Sequence, residues 1–211
     1  MKIKILLIFL LVSSSLLAVD VTREKRATII LLHGASSVGK STIANVLREV
    51  LDGPYLHIGA DNFIAMLPRR YFPGGKDEEY GAKFIIDNDK VKLRCGEVAE
   101  RLFFSMKGVM VRLAEDGFSL IIDELIMKEE ELELYRELFK EFNFISVKIW
   151  APLEVIEVRE KMRGDRKIGL ARGMYDEVYH VSRDDLFLDT SKLSPKECAE
   201  SIKVFVDKSC R

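Results

Sequence analysis

The chain has 211 residues, 48% of them hydrophobic and 32% charged, with only 5 Pro and 13 Gly. That composition excludes a disordered or collagen-like chain and supplies the apolar material for one core. Its 33 basic and 34 acidic residues nearly cancel, so no basic surface for nucleic acid is expected. Cys95, Cys198 and Cys210 form no CxxC or Cys/His cluster, which argues against a disulfide framework or a structural zinc site. Cys198 and Cys210 are placed near the end of one helix, too far apart along it to bridge.

Lys2 and Lys4 precede an apolar run, Ile5 to Val12, followed by Ser13 to Ser15 and Leu16-Leu17-Ala18. A short positive start, a brief hydrophobic stretch and a small residue read as a secretory signal peptide over residues 1–18. The run is short for a membrane-spanning helix. Residues 19–26 read as a spacer, and the folded domain is expected over 27–211. Export to the periplasm or medium follows if the leader is real, with no stable membrane association after its removal. Without it the protein is cytoplasmic.

Ala27 to Leu32 is a continuous, β-branched run and predicts a fully buried strand ending at His33-Gly34. Lys40 to Leu51 has helical spacing in Ile43, Val46, Leu47 and Val50. Tyr55 to Ile58 predicts a second strand after the Gly53-Pro54 turn. Residues 68–81 read as a long loop, and Val91 to Asp116 as a long helix, apolar at Val98, Leu102, Met106, Val109 and Leu113. Phe118 to Ile122 is a third strand, Lys128 to Phe142 an amphipathic helix and Phe144 to Trp150 a fourth strand. Leu153 to Met162 is again helical. Arg163 to His180 is polar and Arg-rich, unlike a core element. Leu186 to Leu188 is a fifth strand, and Ser194-Pro195-Lys196-Glu197 opens a last helix with a capping box. Strands alternating with helices imply a parallel sheet covered on both faces. His33, His57 and His180 read as packing or polar-core residues, and Trp150 and Phe103-Phe104 as core.

Gly34-Ala35-Ser36-Ser37-Val38-Gly39-Lys40-Ser41 satisfies G-x-x-x-x-G-K-[ST], directly after a buried strand and opening a helix. The glycines let the backbone curl so that its amides, with the helix N-terminus reaching Thr42, surround phosphate. Lys40 brings positive charge to the β/γ-phosphates, and the Ser41 hydroxyl can ligate Mg²⁺. Asp123, at the end of the third strand, is the carboxylate expected to hold the same ion.

Several segments together resemble the chloramphenicol phosphotransferase-like family of P-loop kinases. They are His33 to Ser41, Leu56-His57-Ile58-Gly59-Ala60-Asp61-Asn62-Phe63-Ile64 with Leu67-Pro68, and Ile121-Ile122-Asp123-Glu124. Pro152 to Val155, Arg159-Glu160, Arg163-Gly164-Asp165-Arg166, Leu188-Asp189-Thr190 and Pro195 continue the match in order to about residue 205. The match over residues 69–90, where the acceptor pocket should lie, is loose. The resemblance implies ATP- and Mg²⁺-dependent phosphorylation of a small-molecule hydroxyl on a nucleoside-kinase-like fold. It also implies Asp61 as general base, with Arg163 and Arg166 as lid arginines.

The residues themselves leave two readings of Asp61: a proton acceptor on the P-loop edge of the sheet, or a cap for a short helix Asn62 to Leu67. Arg159, Arg163 and Arg166, spaced by four and three, would share one helix face and could converge on a transferring phosphoryl group. Arg172 is a weaker candidate. The expected architecture is therefore an α/β P-loop kinase: five parallel strands, helices on both faces, and a small arginine lid at about 163–180. Two alternatives are a zeta-toxin-like kinase of an activated sugar and an exported nucleotide-binding protein without catalysis.

Overall fold

The computed structural model describes residues 26–209. The expected signal peptide, most of the spacer and Cys210 lie outside them. Strand β1 (Thr28–His33) is buried along its whole length. It alternates between two cores, Ile30 and Leu32 facing one and Ile29 and Leu31 the other. That is why its sequence is continuously apolar. Helix α1 (Lys40–Val50) buries Ile43, Ala44 and Leu47, the stripe its spacing predicts. Strand β2 (Tyr55–Gly59) and short helix α2 (Ala60–Ile64) follow.

Residues 90–95 are strand, not helix: β3 (Ala82–Asp87) and β4 (Lys90–Cys95) form a separate antiparallel hairpin, with Asn88 at φ 54 in its turn. Lys90-Val91-Lys92-Leu93-Arg94-Cys95 alternates polar and apolar at period two, a strand signal. The long helix α3 begins only at Glu97 and runs to Glu115. The loop before the hairpin contains one 3₁₀ turn, Arg69–Tyr71.

Strand β5 (Ser119–Glu124), helix α4 (Glu129–Leu138), strand β6 (Asn143–Trp150) and helix α5 (Leu153–Arg163) follow. The stretch read as unlike a core element contains α6 (Leu170–His180), with Leu170, Ala171, Met174 and Val178 buried. Those positions recur every three to four residues, beneath a surface of Arg, Asp and Glu. Strand β7 (Leu186–Asp189) and helix α7 (Pro195–Ser209) end the fold. The capping box is present: Ser194 Oγ accepts the Glu197 N–H at 3.3 Å, and Glu197 Oε2 accepts the Ser194 N–H at 2.8 Å. Cys198 sits in the first turn of α7, not near its end, and is buried with a free thiol.

The five-stranded sheet has the order β2-β5-β1-β6-β7, all parallel. Helices α1 and α7 cover one face, and α3 and α4 the other. The chain leaves β1 toward β2 and β5 and returns on its other side as β6 and β7. The crevice at such a reversal is where open α/β sheets bind ligands. Two side chains depart from expectation. Phe104 is 79% exposed, and Trp150 is only partly buried, against Phe187. Helix α3 buries Met106, Met110 and Ala114, which turns position 104 outward. Among the described residues no helix is long and apolar enough to cross a membrane.

Candidate active site

Strand register brings the site together. Leu32 pairs with Asp123 across β1 and β5, and Gly59 with Asp123 across β2 and β5. The P-loop, Asp123 and Asp61 therefore share one sheet edge, above which opens a cavity of about 1100 Å³. That exceeds a typical single small-molecule pocket and suits two substrates side by side.

Residues Ser36 to Thr42 line this cavity. Gly34 lies beneath it, and a Cβ there would run into the Ile149 carbonyl oxygen, so the tight turn requires glycine. Ser37 holds a left-handed φ of 63, curling the loop between Gly34 and Gly39. Lys40 Nζ donates to the Gly34 and Ala35 carbonyls at 2.9 and 3.1 Å and lies 3.8 Å from Asp123. Burial lowers its pKa, with Asp123, Glu124 and Asp61 acting in the opposite direction. The Ala35 N–H is directed to the Tyr179 hydroxyl at 3.2 Å, and that hydroxyl donates to the Ile149 carbonyl at 3.1 Å. Ala35 thus braces the loop against α6, a role with no motif to announce it.

Ser41 Oγ donates to Asp123 Oδ2 at 2.5 Å, and His57 Nε2 lies 3.7 Å from the same oxygen. Burial pushes the Asp123 carboxyl up, but Lys40, His57 and Ser41 outweigh it and hold it below its ordinary value. His57 is therefore more than packing, since it lines the cavity beside that carboxylate. No cluster of three or more His, Cys, Asp or Glu among the described residues could hold a metal ion. A hydroxyl and one carboxylate, with the remaining positions left to water and phosphate, nonetheless fit Mg²⁺, which seldom takes an all-protein cage. Glu124, the last residue of β5, also lines the cavity. Its Oε2 accepts the Leu125 N–H while its buried Oε1 has no hydrogen-bond partner among the described residues, and burial pushes its carboxyl up to about 7 against the opposing charge of Lys107.

Asp61 is not the helix cap. Gly59 is the N-cap of α2, and Asn62 Oδ1 accepts the Gly59 N–H at 2.9 Å. The Asp61 carboxylate is instead paired with the Arg166 guanidinium. Arg159 and Arg163, four apart on α5, share a helix face as expected, but Arg166 reaches the cavity by a different route. Helix α5 stops at Arg163 because Gly164 takes a left-handed φ of 72, and Arg166 lies beyond it. Arg163 pairs with Asp165 at 2.7 Å. Arg159 is held by the Val38 carbonyl at 3.2 Å and by Thr190 at 2.7 and 2.9 Å, tying the P-loop to the end of β7. All three line the cavity. Arg172 does not: it bridges Glu157 at 2.5 Å and Asp89 at 3.3 Å.

The hairpin absent from the sequence reading supplies part of the wall. Val91 packs with Leu170, Met174 and Val178, and the Val91 N–H donates to the Gly169 carbonyl at 3.0 Å. Any Cβ on Gly173 would collide with the Val91 carbonyl oxygen, so the approach of α6 to β4 depends on glycine. Leu93 of β4 lines the cavity, as do Leu125, Leu170 and Met174. His33, in contrast, is buried against Asp184, which also meets Lys148 at 3.3 Å, a polar-core role as expected.

The family model described as "Chloramphenicol phosphotransferase-like protein" matches residues 27–207. A protein of Mycobacterium tuberculosis (strain ATCC 25618 / H37Rv) named "Putative O-phosphotransferase Rv2636" is 25% identical over 179 residues, covering 82% of this chain and 80% of its own. Among solved structures, Mycobacterium tuberculosis APS kinase in complex with AMPPNP and APS has a TM-score of 0.60 at 18% identity. That match covers 86% of this chain and 98% of the kinase. Shikimate kinase from Acinetobacter baumannii, in complex with shikimate, gives 0.53 at 14% identity over 87% and 95%. These two structures share the five-stranded P-loop kinase fold described above.

Proposed function

The chain belongs to the chloramphenicol phosphotransferase-like family, and on that footing we propose that it transfers the γ-phosphate of ATP to a hydroxyl of a small molecule. The observation that carries this reading is the meeting of Asp61 and Arg166 across the cavity that holds Lys40, Ser41 and Asp123. A proton acceptor, a cation from the segment between α5 and α6 and a phosphate loop share one space of sufficient size for both reactants.

The loop amides and the α1 N-terminus bind the polyphosphate, and Lys40 adds charge to its β/γ end. Ser41 and Asp123 are the residues that would hold Mg²⁺, which when bound neutralises charge on the β- and γ-phosphate oxygens. Asp61 accepts the proton of the attacking hydroxyl as that oxygen bonds to the γ-phosphorus and the γ-phosphorus bond to the bridging β-phosphate oxygen breaks, releasing ADP. Arg166 orients the Asp61 carboxylate and, with Arg163, supplies charge where the transferring phosphoryl group becomes more negative. Burial lowers the pKa of Lys40, and the charge of Arg166 acts in the same direction. Residues 164–169, between Gly164 and Gly169, form the arginine-bearing arm that covers the reacting groups.

The test is ADP formation from ATP with Mg²⁺ across a broad panel of alcohols, with phosphorus NMR of the product. Lys40→Ala should nearly abolish turnover while leaving the melting temperature close to wild type, because Lys40 bonds carbonyls of its own loop rather than the core. Unchanged turnover in that variant would overturn the kinase reading.

A further inference from the structure

A buried carboxylate on α5 has no part in the transfer just described. Glu160 is 1% exposed, and a charged group so placed destabilises the fold unless its oxygens are satisfied. Both are satisfied from outside α5. Oε2 accepts the Gly169 N–H and Oε1 the Ala171 N–H, each at 2.8 Å. Gly169 is the N-cap of α6 and Ala171 its second residue, so these N–H groups have no partner within the helix. A capping side chain at position 169 would serve them, but none fits there. Gly169 holds φ 93, and a Cβ would stand 2.7 Å from the Asp89 carbonyl oxygen. Glu160 caps α6 from the neighbouring helix instead, with its negative charge at the positive end of the helix dipole.

The same two bonds fix the segment that carries Arg166. Helix α5 ends at Arg163, and the chain runs through residues 164–169 before α6 begins. One end of this arm leaves α5 directly, at Gly164. The other returns to α5 at Glu160, nine positions back from Gly169, and the Gly169 carbonyl also accepts the Val91 N–H of β4 at 3.0 Å. Arg166 therefore lies on a short excursion held at both ends, and from there its guanidinium pairs with Asp61. Such support matters for rate, since a displacement of about 1 Å at a reacting group can cost about 10²-fold.

Resting on the kinase reading of this cavity, we propose that Glu160 is a positioning residue for Arg166. Glu160 does not line the cavity and touches neither reactant. Its carboxylate sets the far end of the arm, and with it the place of the guanidinium beside Asp61 and the transferring phosphoryl group. A bolt between α5 and α6 that serves stability alone is the rival arrangement. Losing such a bolt would lower the melting temperature but leave the rate of the folded enzyme unchanged.

Glu160→Ala removes both acceptors and Glu160→Gln keeps one, so the second carries the test if the first does not fold. Each is measured below its melting temperature, beside Leu132→Ala, which opens a cavity in the core on the other face of the sheet. With ATP, Mg²⁺ and an alcohol turned over by the wild type, Glu160→Ala should lower kcat by about 10- to 100-fold with KM for ATP within about threefold, and Glu160→Gln should lower it less. Leu132→Ala should keep kcat within about twofold of wild type. In an Arg166→Ala background, Glu160→Ala should cost less than about twofold more, because residues that act through one another are not additive. Amide hydrogen exchange, which needs no acceptor, should quicken by about tenfold or more at Gly169 and Ala171 in Glu160→Ala, with α1 unchanged. An unchanged kcat in the folded Glu160 variants, a loss that multiplies undiminished with that of Arg166→Ala, or an equal loss in Leu132→Ala would each overturn the proposal. So would an Arg166→Ala enzyme with wild-type kcat, or unchanged exchange at both amides. Calorimetric titration with ATP and Mg²⁺ separates the two levels. Nucleotide binding with any of those outcomes removes the role of Glu160 alone, whereas absence of nucleotide binding by the wild type removes the kinase reading as well.

Discussion

Replacing Asp61 by Asn tests the chemistry with little disturbance of the fold. The side chain is 68% exposed and its structural bond is to Arg166, on an arm outside the helices. An exposed ion pair of this kind is worth about 0–1 kcal/mol. In a domain of this size that corresponds to a fall in melting temperature of no more than about 4 °C. The α2 cap stays intact, because Gly59 and Asn62 form it. Loss of a general base, by contrast, costs about 10²–10⁴ in rate. That is about 2.7–5.5 kcal/mol in the transition state, several times the structural term. ATP binding should be nearly unchanged, since the loop amides and Lys40 hold the nucleotide. The deficit should therefore fall on kcat rather than on KM for ATP. Steady-state kinetics on an acceptor found in the panel, beside a thermal melt, gives both numbers. An Asp61→Asn enzyme with kcat within about threefold of wild type would remove Asp61 as the base, leaving a kinase that relies on positioning alone.

Asp123→Asn should raise the Mg²⁺ concentration for half-maximal ADP formation by about tenfold or more, since the amide is a poorer partner for a hard cation; an unchanged magnesium titration would refute the assignment of this carboxylate. Leu47→Ala, in a fully buried position of α1 against the core it shares with α7, should cost about 2–5 kcal/mol in urea unfolding with its slope unchanged, and a loss below about 1 kcal/mol would contradict the burial.

The phosphate site was legible because its signal is local. Eight consecutive residues, Gly34 to Ser41, carry the turn, the lysine and the hydroxyl, and the buried strand before them carries the context. The same holds for β1, α1 and the Ser194–Glu197 capping box, where propensity, periodicity and hydrogen bonding act within one or two turns of chain. Such determinants keep their meaning whatever the rest of the fold does.

What failed in the reading of the chain was non-local. Val91 looks like the start of a helix when its apolar spacing is joined to Val98 and Leu102, and becomes strand because it packs on Leu170, Met174 and Val178, some eighty residues away. Asp61 and Arg166 are 105 positions apart, and their meeting depends on Gly164 ending α5 early, not on a shared helix face. Asn62 rather than Asp61 completes the turn at Gly59, which two adjacent polar residues do not reveal. Residue type and spacing determined the P-loop and the strands of the sheet and set Asp123 at the end of β5, while at Asp61 they left a cap and a base both open. The acceptor wall and the route of Arg166 were decided only by tertiary structure. Partners across such distances meet through the summed packing of the whole core, and no window of sequence contains that sum.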